Sequence, residues 1–332
     1  MKIYYQYSFL KTLTPTGGDQ INEIGICTAL SQFAEVYYSG QLFKPHEPHY
    51  GLEEYEGDIK IVDADISIIR ANRDVFLKAK GKRIWVSSPY DKEMFTKANY
   101  IGTFTDSWTK ALKEGETYQN LNPGIKWPNV ITLYQTLNPK FKPLQNHEET
   151  LKIKENYKNK FIIGVFGRIV KSNYPELVVK ALKSLNSIGC EVIFSTNRQL
   201  IQLPKEIKIK RFKHSKMPYA INACDCVIIS QHGQEWEICG SLKTLEPMAC
   251  GIPVILERSR AREEMFGKDY PLFLERGSFT PSSGKETDLI QKIKLLFNQR
   301  FKEKISKDLI RKAKFYSVKQ SAERLEELMR GL

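Results

Sequence analysis

FIIGVFGRIVKSNYPELVVKALKSLNSIGCEVIFSTN, residues 161–197, changes its hydrophobic period twice. Phe161 to Phe166 form an unbroken apolar run, which suits a strand buried on both faces of a sheet. From Pro175 the apolar residues recur at helical spacing, and the proline falls near the first turn, where its missing N–H is not needed. EVIFS then returns to strand composition. A strand, a helix-length segment and another strand imply parallel pairing, because the helix carries the chain back along the sheet.

The alternation extends in both directions. Downstream, EIKIKRF (206–212), DCVIISQ (225–231) and IPVILE (252–257) read as strands, with helices at MPYAINAC (217–224) and SLKTLEPMACG (241–251), the latter closed by a glycine. Three helical stretches close the chain, the last being VKQSAERLEELMRG (318–331). Upstream, KIYYQYSF (2–9), EVYYSG (35–40), DISIIRA (65–71), RIWVSS (83–88), YIGTFT (100–105) and NVITLYQ (129–135) read as strands. Between them lie helices at INEIGICTALSQF (21–33), at a short segment ending near Gly81, at DKEMFTKA (91–98) and at DSWTKALKEG (106–115). NPKFKPLQNHEE (138–149) is proline-bearing, polar and unpatterned, as linkers are. The reading is an α/β protein of two doubly wound domains, 1–140 and 159–316, joined by a linker at 141–158. Ligands bind such sheets at the strands' carboxyl ends, so the two domains are expected to face a shared cleft.

At 332 residues and 41% hydrophobic content the chain has material for two cores. Its first residues lack the apolar run of a signal peptide, and no stretch reaches the roughly 20 apolar residues of a membrane helix. The expected location is the cytoplasm, or the inner face of the membrane. Cys27, Cys190, Cys224, Cys226, Cys239 and Cys250 lie mostly in apolar surroundings without zinc-type spacing, which implies buried reduced thiols rather than a metal site. The net charge of +13 is unevenly shared: residues 1–150 hold 17 basic and 18 acidic side chains, residues 151–332 hold 34 and 20. Such a field attracts phosphate, nucleic acid or anionic lipid, and a solvated lysine-rich face is the plainer alternative.

Two short segments bring cations to the ends of elements. In GRIVK (167–171) the buried strand stops at Gly167 and presents Arg168, then Lys171. Glycine lets a ligand approach the backbone, arginine forks onto two phosphate oxygens and lysine adds a point charge, so a diphosphate fits. In EICGSLKTLEPMACGIPVI (237–255), Gly240 and Ser241 open a helix that carries Leu242, Lys243 and Glu246. Free N–H groups and the positive dipole end suit a phosphate there too. Glu246 adjoins the apolar face of Leu242, Leu245 and Ala249, where a carboxylate needs a hydroxyl partner such as a ribose diol. Without a ligand, the two segments read equally as a surface βα loop and a capped helix.

The succession GRIVK, MPYAINACDCVIISQ (217–231) and EICGSLKTLEPMACGIPVI is similar to the retaining GT-B glycosyltransferases that share a glutamate-pair motif, the glycosyl transferases of group 1. NVITLYQTLNPKFKP (129–143) looks like their interdomain strand and linker, and the turn at Gly17 and Gly18 resembles their loop after the first strand. The resemblance implies two Rossmann-like domains, an acceptor side first and a donor side second, with the helix at 317–332 returning to the first. It implies that Arg168 and Lys171 hold the donor diphosphate, that Gly240 and Ser241 give it backbone N–H groups, and that Glu246 takes the ribose hydroxyls. Gly167, Leu242 and Lys243 line the same donor site, and an earlier glutamate binds the sugar. In the family the two glutamates stand eight apart. Here Glu237 and Glu246 stand nine apart and Ile238 holds the expected place, so Glu237 or Glu235 takes that role, or Lys243 does without it.

Many relatives have a histidine near the transferred sugar. SSPYDKEMF (87–95) has none, so Tyr90 or Asp91 substitutes or the contact is absent; Asp91 also suits the N-cap of a helix starting at Lys92. Arg258, Arg260 and Arg262 follow a strand end, alternating like cleft-facing residues or lying on the surface, and His46 and His49 fall in an acidic loop on the acceptor side. The implied reaction moves a sugar from a UDP- or GDP-sugar to an acceptor hydroxyl, with retention and with no metal or further cofactor. A cell-surface glycan or lipid-linked saccharide is the expected acceptor; a hydroxylated DNA base, or silent sugar-nucleotide binding, are the alternatives. An inverting reaction would need a general base, with Asp91 or Asp19 the first candidates.

Overall fold

The computed structural model describes residues 1–8, 18–45, 59–86, 91–117, 124–157, 160–167, 169, 175–196, 204, 207, 209–279 and 285–332, with the backbone alone at 18–20 and 235. The chain divides into two compact units. The first comprises Met1–Asn138, Ile238–Gly240 and Phe315–Leu332, and the second Pro139–Glu237 and Ser241–Lys314.

The first unit runs β1 (Lys2–Tyr7), α1 (Gly18–Leu30), β2 (Glu35–Tyr38), β3 (Gln41–Leu42), β4 (Ile66–Arg70), α2 (Arg73–Lys78), β5 (Lys82–Val86), α3 (Lys92–Lys97), β6 (Tyr100–Thr103), α4 (Asp106–Glu114) and β7 (Val130–Thr132). Its sheet has the order β3-β2-β1-β4-β5-β6-β7, parallel except where β3 pairs antiparallel with β2. The second unit runs α5 (Glu148–Glu155), β8 (Phe161–Phe166), α6 (Glu176–Ser187), β9 (Cys190–Ser195), β10 (Ile209–Lys210), α7 (Met217–Asn222), β11 (Cys226–Ile229), α8 (Leu242–Cys250), β12 (Val254–Glu257), α9 (Arg260–Phe266), β13 (Phe273–Leu274), α10 (Glu286–Leu295) and α11 (Gln299–Ala313). Its sheet, β10-β9-β8-β11-β12-β13, is parallel throughout. α12 (Val318–Gly331) then packs on α1 in the first unit. No helix among the described residues is long and apolar enough to cross a membrane.

The strands are apolar without alternation because both faces of each sheet are covered: β4, β11 and β12 are buried at every position. Buried tyrosines fill the first core, and their hydroxyls need partners in a dry environment. Tyr4 donates to Gln6 Oε1 at 3.1 Å, and Tyr5 donates to Glu23. Glu23 is fully buried on α1 and is held by the Arg70 guanidinium at the end of β4. Burial pushes its carboxyl up, while Arg70 pulls it down. The described non-glycine residues with left-handed φ, Ser8, Ser39, Ala71 and Tyr134, all follow parallel strands of this sheet at their carboxyl ends. Strain of this kind collects where a fold builds sites.

Four elements differ from the sequence reading. β3 and β13 are two residues long, too short to show a period. α9 occupies residues to which the sequence reading assigns no element, only arginines past a strand end. α5 lies inside the stretch read as linker, and the second unit already begins at Pro139. The buried Asn222 explains why that stretch is fixed: its Oδ1 accepts from Leu144 N at 2.8 Å and its Nδ2 donates to Lys142 O at 3.0 Å. Gln145 Nε2 adds a bond to Cys250 O at 2.9 Å.

Arg70→Met would leave the Glu23 carboxylate buried and uncompensated. It should destabilise the first unit by about 3–5 kcal/mol, whereas Arg70→Met with Glu23→Leu should recover most of the loss. Denaturant midpoints of the two variants measure this.

Candidate active site

At the carboxyl end of β8 the chain turns at Gly167, whose φ of 110° is left-handed and whose N–H donates to Ser195 O at 2.9 Å. A Cβ on Gly167 would stand 2.5 Å from Lys243 Nζ, so the missing side chain is the room the lysine head occupies. Backbone conformation and close approach both require glycine here. Lys243 comes from the first turn of α8. Ser241 caps that helix from an extended conformation, its Oγ accepting from Lys243 N at 3.3 Å. Leu242, the first helical residue, is buried and anchors the turn.

One turn along α8, burial pushes the Glu246 carboxyl up to about 8, against the downward pull of Lys243. It forms no hydrogen bond to any described residue. A carboxyl that is protonated at neutral pH offers one donor and one acceptor, which matches a vicinal diol. Gly167, Ser241, Lys243 and Glu246 are thus joined at one edge of the second unit.

Glu237 ends a 3-10 turn, Gln234–Glu237, after β11. Its Oε1 receives Arg276 Nη2 at 2.7 Å, Arg260 Nε at 3.5 Å and Arg260 N at 3.4 Å. No described residue bonds to Oε2, so one oxygen is held and the other is not. Burial raises this carboxyl too, with Arg276 opposing. Arg276 and Arg260 escape sequence reasoning as partners of Glu237 because they lie beyond the next strand, outside any local spacing rule.

Neither reading of the three arginines after β12, alternating toward a cleft or lying on the surface, describes them as a set. α9 begins at Arg260, and Arg262 is buried with Nη1 on Glu257 O at 2.9 Å and Nη2 on Gln231 O at 2.7 Å. Burial lowers its guanidinium to about 10. Arg258 pairs with Glu263 at 2.8 Å.

Other candidates lie in the first unit. Asp91 caps α3, its Oδ1 accepting from Met94 N at 3.2 Å, and its Oδ2 takes Arg73 Nε at 2.6 Å. Gly18 is the first residue of α1 and Asp19 the second. The Gly240 carbonyl accepts from Gln135 Nε2 at 3.3 Å. Gly17, Arg168, Lys171, Ser88, Tyr90, His46 and His49 lie outside the described residues, as does the side chain of Glu235. The cysteines are free, and burial pushes the Cys27, Cys224, Cys226 and Cys250 thiols up, which leaves them protonated and unreactive. An open hollow lined by Met1, Lys2, Glu35, Asp63 and Asp65 sits at the amino ends of the first sheet's strands, the edge away from ligand chemistry.

Two Rossmann-like units with parallel sheets define a fold shared with GT-B glycosyltransferases. The chain is similar to Anabaena Alr3699/HepE solved with UDP, with a TM-score of 0.69 at 13% identity over 100% of both chains. It is similar to a glycosyltransferase from Rickettsia africae ESF-5, with a TM-score of 0.68 at 14% identity over 98% of this chain and 97% of that one. The pneumococcal O-GlcNAc transferase GtfA, solved with UDP and GlcNAc, aligns with a TM-score of 0.57 at 11% identity over 80% of this chain and 56% of its own. No curated protein sequence matches the chain. Residues 146–315, just over half of it, match the model of the glycosyl transferases group 1. The chain belongs to that family and is a glycosyltransferase.

The Glu246 carboxyl holds a proton in the folded state, with a pKa of about 8, that an ordinary carboxyl near 4.5 releases. Its contribution to stability is therefore complete below the lower value and is lost as pH rises through the upper one. Glu246→Gln should flatten that segment of the second unit's stability profile, as followed by denaturation across the same pH range.

Proposed function

We propose that this chain transfers the sugar of a UDP-sugar to a hydroxyl of a cell-surface glycan or lipid-linked saccharide, with retention of the anomeric configuration and without a metal. The observation that carries the reading is the Lys243 head lodged beside Gly167, next to the capped start of α8. When the sugar leaves, negative charge builds on the β-phosphate. Fixed cations and helix N–H groups that meet that charge lower the barrier more than they tighten the ground state. Lys243 and the N-terminal turn of α8 supply this from the described residues. By resemblance to the family, Arg168 and Lys171 join them and the loop at Gly17 and Gly18 lies on the donor.

Glu246 takes the ribose hydroxyls. Glu237, steadied by Arg260 and Arg276 through one oxygen, offers the other to a sugar hydroxyl. Uridine is favoured as the base because the Anabaena and pneumococcal relatives were solved with UDP. Asp91 has both oxygens engaged, by the α3 cap and by Arg73, which favours the retaining course over one that needs a free base.

A panel of nucleotide sugars in a thermal-shift assay tests the donor, since the matched one stabilises the fold by mass action. The configuration of the product, read by NMR, tests retention. UDP-sugar binding with no UDP released in the presence of any hydroxyl acceptor, or an inverted product, would overturn the reading. Lys243→Ala should lower kcat by about 10²–10³, the usual loss for a donor aimed at developing charge. Gly167→Ala should act in the same direction by displacing the lysine head, and steady-state kinetics checks both.

A further inference from the structure

We propose that the turn between α10 and α11 docks this chain on an anionic phospholipid surface. Single exposed apolar residues are ordinary on proteins, but Leu295 and Phe297 stand two apart at 45% and 46% exposure, with the buried Leu296 between them as an anchor. The turn is fixed. Phe297 N donates to Lys294 O at 3.2 Å and Asn298 N to Leu295 O at 3.3 Å, while Asn298 Oδ1 caps α11 through Phe301 N at 3.1 Å. The Phe297 ring rests edge-on against Phe161, 5.0 Å between centroids, at the first residue of β8.

Exposed cations lie near this apolar pair along the chain and beside Phe161, with the carboxylates Glu303 and Asp225 bound to Gln299 and Lys302. Lys294 precedes it, Arg300 and Lys304 lie one and two turns into α11, and Lys160 adjoins Phe161; all four are exposed and none forms an ion pair with a described residue. Lys302, by contrast, is paired with Asp225. Apolar side chains that can enter the acyl boundary, with unpaired basic groups on the flanking segments, match a leaflet of acidic lipid. A nucleic acid would use the same cations but would give Leu295 and Phe297 nothing apolar to enter. The patch lies where β8 begins, and Gly167 lies where it ends, so docking leaves the donor edge of the second unit uncovered.

This inference does not depend on the donor chemistry.

Flotation of the full chain with phosphatidylglycerol-containing and pure phosphatidylcholine vesicles, at low and high salt, tests it. Binding is expected to the acidic vesicles, weakening with salt. Leu295→Asp with Phe297→Asp should reduce it on the order of tenfold or more. Lys294→Glu with Arg300→Glu should cost on the order of fivefold or more per residue. Circular dichroism confirms that each pair stays folded, and an unchanged thermal shift with UDP separates loss of docking from failure of the donor reading. Equal binding to both vesicle types, no flotation, indifference to both variant pairs, or retardation of duplex DNA without flotation would each overturn the proposal.

Discussion

The Lys243 head fills the place where Gly167 has no side chain, and the ligand edge of the second unit is organised around that fit. Glycine is required twice over, by a left-handed φ and by the space. The lysine in turn depends on the capped first turn of α8, which Ser241 fixes and Leu242 anchors. On the proposed reading, a cation placed this way would already be stationary when charge develops next to it, so little reorganisation would accompany the reaction. The same ammonium lowers the Glu246 carboxyl, though burial prevails and leaves it protonated near neutrality.

Three buried or half-buried glutamates show how surroundings assign different roles to one side chain. Glu23 is wholly enclosed and matched by Arg70 and Tyr5, so its charge is spent within the first unit's core. Glu246 has Lys243 one turn away, whose pull burial outweighs, and no hydrogen-bond partner among the described residues, which keeps it available as a neutral donor and acceptor. Glu237 is gripped on one oxygen by two arginines and open on the other. All three stand on elements that follow the carboxyl ends of parallel strands, but only the last two keep an oxygen without a bond to a described residue.

Long apolar runs made most strands legible in the sequence: Phe161–Phe166 and Cys226–Ile229 are continuous because both sheet faces are covered. Helices with a cap and a terminal glycine, such as α8, were equally plain. Elements whose existence depends on distant partners were not. α5 reads as polar linker because the fixing of its approach comes from Asn222, far along the chain, and β13 is two residues that exist only by pairing with β12. The site divides in the same way. Ser241, Lys243 and Glu246 share one helix and can be read from spacing, whereas the contact of Lys243 with Gly167 and the arginines on Glu237 arise from folding.

The nine-residue separation of Glu237 and Glu246 follows from a change of duty at the intervening residues. Ile238–Gly240 belong to the first unit, where Ile238 is buried and its carbonyl accepts from Thr105, which caps α4. A carboxylate at position 238 would have to enter an apolar core without a cation, at a cost of several kcal/mol. Glu237 is the last residue before that segment and still belongs to the second unit, where Arg260 and Arg276 compensate its charge. Position 237 thus gives a carboxylate electrostatic support that the apolar surroundings of Ile238 would not. Since both arginines use Oε1, the carboxylate keeps Oε2 without a bond to a described residue.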